Sequence, residues 1–202
     1  MKFTRLAALA LFAAAPAFAG TSFVVDFENN WSYDEAVSGY YSGGMSAGGA
    51  SGANLGVEFV NVAGLSNDAG FTYYSGAPSP LGTAYAQGDG AYMNISAGVD
   101  NLLSFFYSSP SAVTGAIKAY SGLNGTGTLL GSFDLAANSG ASYDSWTKVV
   151  FSFAGTAHSF DLSASTGAVG FDNIAAVPEP SSVLLMLAGG AALLGLQRRR
   201  KV

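Results

Sequence analysis

The middle of this 202-residue chain consists of short segments in which apolar and polar residues alternate, separated by glycine-rich turns. Alternation with a period of two is typical of a β-strand with one buried face. The clearest segments begin at Phe23, Leu102, Lys148, Ser159 and Val169. No part of this region shows the 3.6-residue period of an amphipathic helix. The pattern therefore predicts an all-β fold, an antiparallel β-sandwich of the jelly-roll type.

Turn sequences indicate where these strands end. Ser121–Gly127 contains three glycines and an Asn-Gly pair, which predicts a hairpin turn between strands at 116–120 and 128–134. Ala154–Thr156 is interpreted as a further turn between two strands. Two stretches lack the alternation: Trp31–Gly56 is interpreted as a long surface loop that has room for a short strand, and Gly64–Ala91 as a second irregular region.

The first 19 residues have the composition of a secretory signal peptide. Lys2 and Arg5 form a positive start, Leu6–Ala15 is an apolar run, and Ala17-Phe18-Ala19 places small residues where signal peptidase reads them. We therefore expect a cleavable signal helix, cut by signal peptidase after Ala19, and export of the protein.

The last 26 residues contain three elements in a fixed order. An extended proline motif comes first, an uncharged apolar run Val183–Leu196 follows, and a basic end closes the chain. The apolar run spans about 21 Å as a helix, short of the roughly 30 Å hydrocarbon core. A transient, processed helix therefore fits better than the alternative, a permanent anchor. The motif residues are Val177, Pro178, Glu179 and Pro180, and the basic stop is Arg198, Arg199, Arg200 and Lys201.

This arrangement resembles the PEP-CTERM sorting signal. The resemblance implies recognition and cleavage of the tail by a membrane exosortase, after transient anchoring in the inner membrane. It also implies delivery to the cell surface or to an exopolysaccharide or biofilm matrix. The expected organisation is a signal peptide at 1–19, a β-sandwich at 20–176, and a sorting signal with a short transmembrane helix at 177–202.

The charge of the middle region excludes some partners. Residues 20–176 contain only Lys118 and Lys148 against twelve acidic residues, a net charge of −10, whereas the whole chain carries −5. Such a surface repels phosphate backbones, so we expect no binding to nucleic acid. The chain has no cysteine, which removes disulfides, thiol nucleophiles and thiolate metal sites.

Three carboxylates form a candidate calcium site. Asp26 and Glu28 share one face of the first strand, and Asp172 lies in the last. Asp26-Phe27-Glu28 and Phe171-Asp172-Asn173-Ile174 are similar to MAM-type and carbohydrate-binding-module-type jelly rolls, although the MAM cysteines are absent. That similarity implies that the first and last strands are adjacent and can hold a structural Ca²⁺. The alternative is that Asp26 and Glu28 face water and Asp172 caps its strand.

Aromatic residues in the glycine-rich stretches suggest a sugar-binding surface, since flat rings stack on the apolar faces of sugars. Trp31, Tyr40 and Tyr41 are the candidate glycan-binding residues. The alternative is that such rings cover the edges of the sandwich. The wider set is Trp31, Tyr33, Tyr40, Tyr41, Tyr73, Tyr74 and Tyr85, while Trp146 is interpreted as a core or rim residue.

Catalytic signals are weak. His158 is the only histidine and has no nucleophile motif nearby, and Asp34 and Glu35 are adjacent, which does not aim two carboxylates at one bond. We therefore expect a non-enzymatic surface or matrix protein with a structural or adhesive role. The alternative is a carbohydrate-binding module, and the third possibility is a glycan hydrolase.

Overall fold

The computed structural model describes residues 22–176. The two predicted terminal helices and the sorting motif lie outside the described residues. Within residues 22–176 there is no helix long and apolar enough to cross a membrane. The predicted antiparallel all-β fold is confirmed. The strands are β1 Phe23–Val25, β2 Val57–Val60, β3 Val62–Leu65, β4 Thr83–Ala86, β5 Tyr92–Ser108, β6 Val113–Tyr120, β7 Leu129–Leu135, β8 Thr147–Asp161 and β9 Gly170–Ala176, with a 3₁₀ turn at Ser163–Ser165.

All strand pairs among the described residues are antiparallel, and they link into one hydrogen-bonded system. The order is β3-β4-β9-β5-β8-β6-β7, with β1 paired to β9 and β2 paired to β5. Phe23 in β1 lies opposite Ala176 in β9. The prediction that the first and last strands are adjacent is therefore confirmed.

The two long strands, β5 and β8, connect the two layers of the sandwich. The first part of β5 pairs with β2 and with the end of β8, whereas its second part pairs with β9 and with the start of β8. Their mutual register shifts between Asn94 and Leu102, where irregular pairing bends a sheet. The predicted turn at Ala154–Thr156 is wrong. Gly155 takes a positive φ of 86° at this irregularity, and β8 continues through it.

The hairpin between β6 and β7 confirms the predicted turn. Asn124 and Gly125 both take positive φ, 53° and 68°, which the Asn-Gly pair tolerates. The turn also docks on β5: the Asn124 N–H donates to the Asn94 side-chain oxygen at 2.9 Å, and the Asn94 amide donates back to Asn124 Oδ1 at 2.7 Å.

Three strands lie where the alternation is weak. β2, β3 and β4 are each four residues long, and two of them overlap the region Gly64–Ala91. The interpretation of that region as irregular is therefore wrong for residues 64–65 and 83–86 and holds for residues 87–91 and 66–82; we call the latter the 66–82 loop. The stretch Trp31–Gly56 has no strand, only a bridge between Ala36 and Ala63. Trp31, Val37, Tyr40 and Tyr41 pack into the core, whereas Tyr33 and Met45 are exposed, so the interpretation as a surface loop holds for only part of the stretch.

The core is built on aromatic side chains. Five phenylalanines are less than 2% exposed: Phe27, Phe105, Phe151, Phe160 and Phe171. Complete burial of such a side chain contributes roughly 1.5–3 kcal/mol. With no cysteine in the chain, stability depends on this packing.

Candidate functional site

An aromatic cleft of about 240 Å³ opens beside β4 and the start of β9. We call it the aromatic cleft. Leu65, Thr83, Ala84 and the segment 167–170 supply its remaining walls. Its six rings come from four separate parts of the chain: Tyr33, Tyr73, Tyr74, Tyr85, Tyr143 and Trp146.

The rings hold one another in place. Tyr33 and Tyr73 lie with their centroids 6.0 Å apart, and the ring of Tyr74 meets Trp146 edge-on at 6.2 Å. The Trp146 indole N–H donates to the Ser75 carbonyl at 3.1 Å, which joins the segment before β8 to the 66–82 loop. Tyr33 is 70% exposed and Tyr73 is 38% exposed, so both present ring surface to a ligand.

The 66–82 loop forms one wall and is fixed at several points. The Asn67 amide donates to the Tyr74 carbonyl at 2.9 Å, and its oxygen accepts from the N–H groups of Tyr73 and Tyr74. Further along, the Ser79 N–H donates to Asp172 at 2.7 Å, and the Leu81 N–H donates to Glu28 at 2.8 Å. The wall is therefore already positioned before a ligand arrives.

Polar groups are few around the cleft. The Tyr85 hydroxyl donates to Asp34 at the rim. Burial raises the pKa of Tyr85, and the neighbouring Asp34 carboxylate raises it further, so this hydroxyl stays protonated at neutral pH. No acidic, basic or histidine side chain is among the described residues that line the cleft.

The predicted glycan-binding residues do not line the cleft. Trp31, Tyr40 and Tyr41 are 4%, 8% and 3% exposed, so the expectation that their rings are exposed is wrong. Glycines let the chain approach these rings: a Cβ on Gly52 would lie 2.2 Å from the Tyr40 ring. The three rings fill the sandwich edge, as the alternative interpretation states.

The three candidate calcium ligands do not converge. Asp26 accepts a hydrogen bond from the Tyr41 hydroxyl at 3.0 Å, while Glu28 and Asp172 bind backbone N–H groups of the 66–82 loop. Within residues 22–176 no group of three or more His, Asp or Glu side chains has metal-binding geometry. The calcium site has no support from the positions of these carboxylates.

Asp172 is nevertheless unusual. It is fully buried, and burial raises its pKa to about 7, although hydrogen bonds from Ser79 and Asn173 act in the opposite direction. The negative charge of Glu28 adds to the increase. Burial raises the pKa of the adjacent Tyr74 to about 12, and the charges of Asp172 and Glu28 raise it further. Asp172 therefore holds the 66–82 loop at Ser79 in a buried site that disfavours its charged form.

The sequence alone indicates only some of the residues that line the cleft. Tyr33, Tyr73, Tyr74 and Tyr85 belong to the aromatic set found in the irregular stretches. Trp146, interpreted from the sequence as a core or rim residue and set apart from the binding aromatics, is partly buried and lines the cleft. Tyr143 has no distinguishing sequence pattern. His158 lies elsewhere, with its Nδ1 3.1 Å from the Ser96 carbonyl.

Comparison with known proteins adds the following. The carbohydrate-binding module CsCBM6-3 of Clostridium stercorarium, solved with cellobiose, is 16% identical, with a TM-score of 0.41 over 61% of this chain and 86% of that one. CBM35 of Paenibacillus barcinonensis is 12% identical, with a TM-score of 0.39 over 59% and 90% of the two chains. No curated protein sequence matches the chain.

A family model matches the end of the chain. It is described as the PEP-CTERM protein-sorting motif and covers residues 176–201. The match includes the proline motif and the basic stop, so the resemblance drawn from Val177–Pro180 and Arg198–Lys201 is confirmed. The chain therefore carries a PEP-CTERM protein-sorting motif, which indicates an exported surface protein.

Proposed function

We propose that this protein binds polysaccharide through the aromatic cleft and acts without catalysis as an adhesive or structural component of the cell surface or of an exopolysaccharide matrix. The observation that carries the proposal is the convergence of six aromatic rings from four chain segments on one cleft. Exosortase processing of the tail would release the domain to this location.

The physical basis is stacking on sugar rings. The faces of pyranose rings carry C–H groups that pack on aromatic rings, while the hydroxyls need hydrogen-bonding partners at the edges. Tyr33 and Tyr73 supply exposed rings, and Tyr85 supplies a hydroxyl at the wall. Because the 66–82 loop is already fixed, little conformational entropy is lost on binding.

The cleft supports binding rather than hydrolysis. Most glycoside hydrolases use two carboxyl groups that flank the scissile bond, roughly 5–10 Å apart. The described cleft lining contains no carboxylate and no histidine. Asp34 reaches the rim only through its hydrogen bond with Tyr85.

Alanine substitutions in the cleft test the proposal. Trp146→Ala and Tyr73→Ala should each weaken binding to a glycan identified on an array about tenfold, because each removes a stacking ring together with its contact area. Calorimetric titration measures this effect. Phe71→Ala is the matched control, since Phe71 is 69% exposed on the same loop but does not line the cleft. If Trp146→Ala and Tyr73→Ala fold correctly and bind the glycan as tightly as Phe71→Ala and the unchanged protein do, the proposal is contradicted.

Processing of the tail gives a separate prediction. We expect the mature protein to begin at Gly20 and to lack the apolar run and basic end, because the run is short and the sorting motif precedes it. Mass spectrometry of protein extracted from the cell surface measures both ends. Replacing Arg198, Arg199 and Arg200 by alanine should reduce retention at the membrane during sorting. Surface protein that still contains residues 198–201 would refute removal of the tail.

A further inference from the structure

We propose that the aromatic cleft selects uncharged glycans and rejects anionic polymers such as polyuronates and sulfated polysaccharides. The inference rests on the proposed function and specifies the class of ligand that the same cleft accepts. The reason is the distribution of charge in the folded domain.

Lysine and arginine are scarce in the described residues, and none of them lines the cleft. Within residues 22–176 the only lysines or arginines are Lys118 and Lys148, and neither lines the cleft. Lys148 sits 5.8 Å from the Phe106 ring centroid, and Lys118 lies on β6 opposite Asp161. An acidic sugar in the cleft would therefore find no arginine or lysine to pair with, and it would lose hydration without compensation.

The charged groups next to the lining residues are instead negative. Asp34 accepts the Tyr85 hydroxyl at the rim, and Asp144 lies between the lining residues Tyr143 and Trp146, where its carboxylate accepts from Ser139 Oγ at 3.1 Å. Behind Tyr74, the Glu28 carboxylate accepts from the Leu81 N–H of the 66–82 loop. A polyanion approaching the cleft is repelled by the rim charges and by the whole domain, whereas a neutral chain is unaffected.

A neutral glycan needs only what the cleft offers. Stacking on Tyr33, Tyr73 and Trp146 does not depend on charge. Sugar hydroxyls can donate to the Asp34 carboxylate and exchange hydrogen bonds with the hydroxyl of Tyr85. The same Asp34 that would repel a uronate thus serves as an acceptor for a hydroxyl.

Matched polymers separate charge from sugar identity. Protein recovered from the producing cells is titrated with soluble glucan, mannan and galactan and with the carboxymethylated derivative of each, in 20 mM and 500 mM NaCl. For any backbone that binds, we expect the carboxymethylated form to bind at least tenfold more weakly at low salt. Part of this difference should disappear at high salt, because the Debye length falls from over 10 Å to under 10 Å. Neutral binding should change little with salt.

Charge variants test the cause. Asp34→Asn with Asp144→Asn should improve binding of the carboxymethylated polymer about two- to threefold per charge removed at low salt. Asp100→Asn is the control. Asp100 accepts a hydrogen bond from the Thr156 hydroxyl where the register of β5 and β8 shifts, and it does not line the cleft.

Each outcome decides between the claims. Tighter binding of carboxymethylated polymers that is lost in Trp146→Ala would overturn the selection for neutral glycans while leaving the proposed function in place. Binding of neither form would overturn both. If the Trp146→Ala variant binds the neutral polymer with undiminished affinity, the ligand binds outside the cleft. That result would overturn both the binding of glycans in the cleft and the selection for neutral glycans.

Discussion

Trp31→Ala is expected to lower the free energy of unfolding of the domain by about 3–5 kcal/mol, the cost of removing a large buried aromatic side chain. Trp31 is 4% exposed, its indole N–H donates to the Phe27 carbonyl at 2.7 Å, and its ring meets Tyr40 at 5.0 Å. The backbone at Gly64 and Gly82 passes directly against the indole, where a Cβ would lie 2.1 Å and 2.7 Å from it. The alanine variant would therefore leave a cavity that the rigid strands cannot close.

Urea denaturation of the purified variant measures this loss. Trp31→Phe keeps most of the packing and removes only one of two hydrogen bonds to the Phe27 carbonyl, which still accepts from the Asn29 N–H at 2.8 Å. Its loss should therefore be smaller, about 0.5–1.5 kcal/mol for the missing bond. Gly64→Ala should also lower the free energy of unfolding, by about 1–3 kcal/mol or more, because the added methyl group overpacks the space beside the Trp31 indole. Trp146→Ala is the contrasting variant, since that indole is partly exposed at the cleft. A Trp31→Ala protein as stable as the unchanged one would show that the indole is not a packing element.

The second large effect is a dependence of stability on pH through Asp172. Its pKa is about 7 in the folded protein against 3.8 for the ordinary group. Between these values the folded protein holds a proton that the unfolded chain releases, so the contribution of Asp172 to stability is complete below pH 4 and is lost as pH rises to about 7. The difference between the two pKa values corresponds to roughly 4 kcal/mol.

Denaturation curves at pH 4, 5, 6, 7 and 8 test this dependence, with the Asp172→Asn variant measured in parallel. The unchanged protein should lose stability relative to the variant across this window. Glu28→Gln should reduce the loss, because the charge of Glu28 helps to raise the pKa of Asp172. Glu35 acts outside the window: burial opposes its charge, but hydrogen bonds from Ser46, Ser32 and Gly48 lower its pKa, so its contribution is lost only in more acidic solution. Parallel profiles for the unchanged and Asp172→Asn proteins would rule the mechanism out.

The sequence predicts the strands correctly where they show a two-residue alternation or flank a clear turn sequence. β1, the second half of β5, both ends of β8 and β9 match segments with a period of two. β6 and β7 were predicted from the turn between them, and Asn124-Gly125 forms that turn. β2 to β4 were missed because four-residue strands contain too few repeats to show a period. The continuity of β8 was not predicted because Ala154-Gly155-Thr156 resembles a turn sequence. In the structure Gly155 lies instead where the register of β8 shifts against β5.

The cleft was less accessible than the fold. Its aromatic set was recognised, but which rings are buried depends on glycines distant in sequence, such as Gly64 beneath Trp31. Tyr143 and Trp146 join Tyr33 and Tyr73 only through the pairing of strands, which brings residues more than 60 positions apart to one opening. Single-sequence patterns describe local periodicity and contain no information about such distant contacts.

The position of β9 sets an order of events during biogenesis. β9 is the last strand made, yet it lies between β4 and β5 and also pairs with β1. Such pairings between distant parts of a chain form slowly, and here they cannot form until residues 170–176 have crossed the membrane. The sorting motif begins at residue 176, within the same strand. The sheet can therefore be completed only at about the time when the tail reaches the membrane. When the tail holds the protein at the membrane, β9 has only just become free to pair with its neighbours.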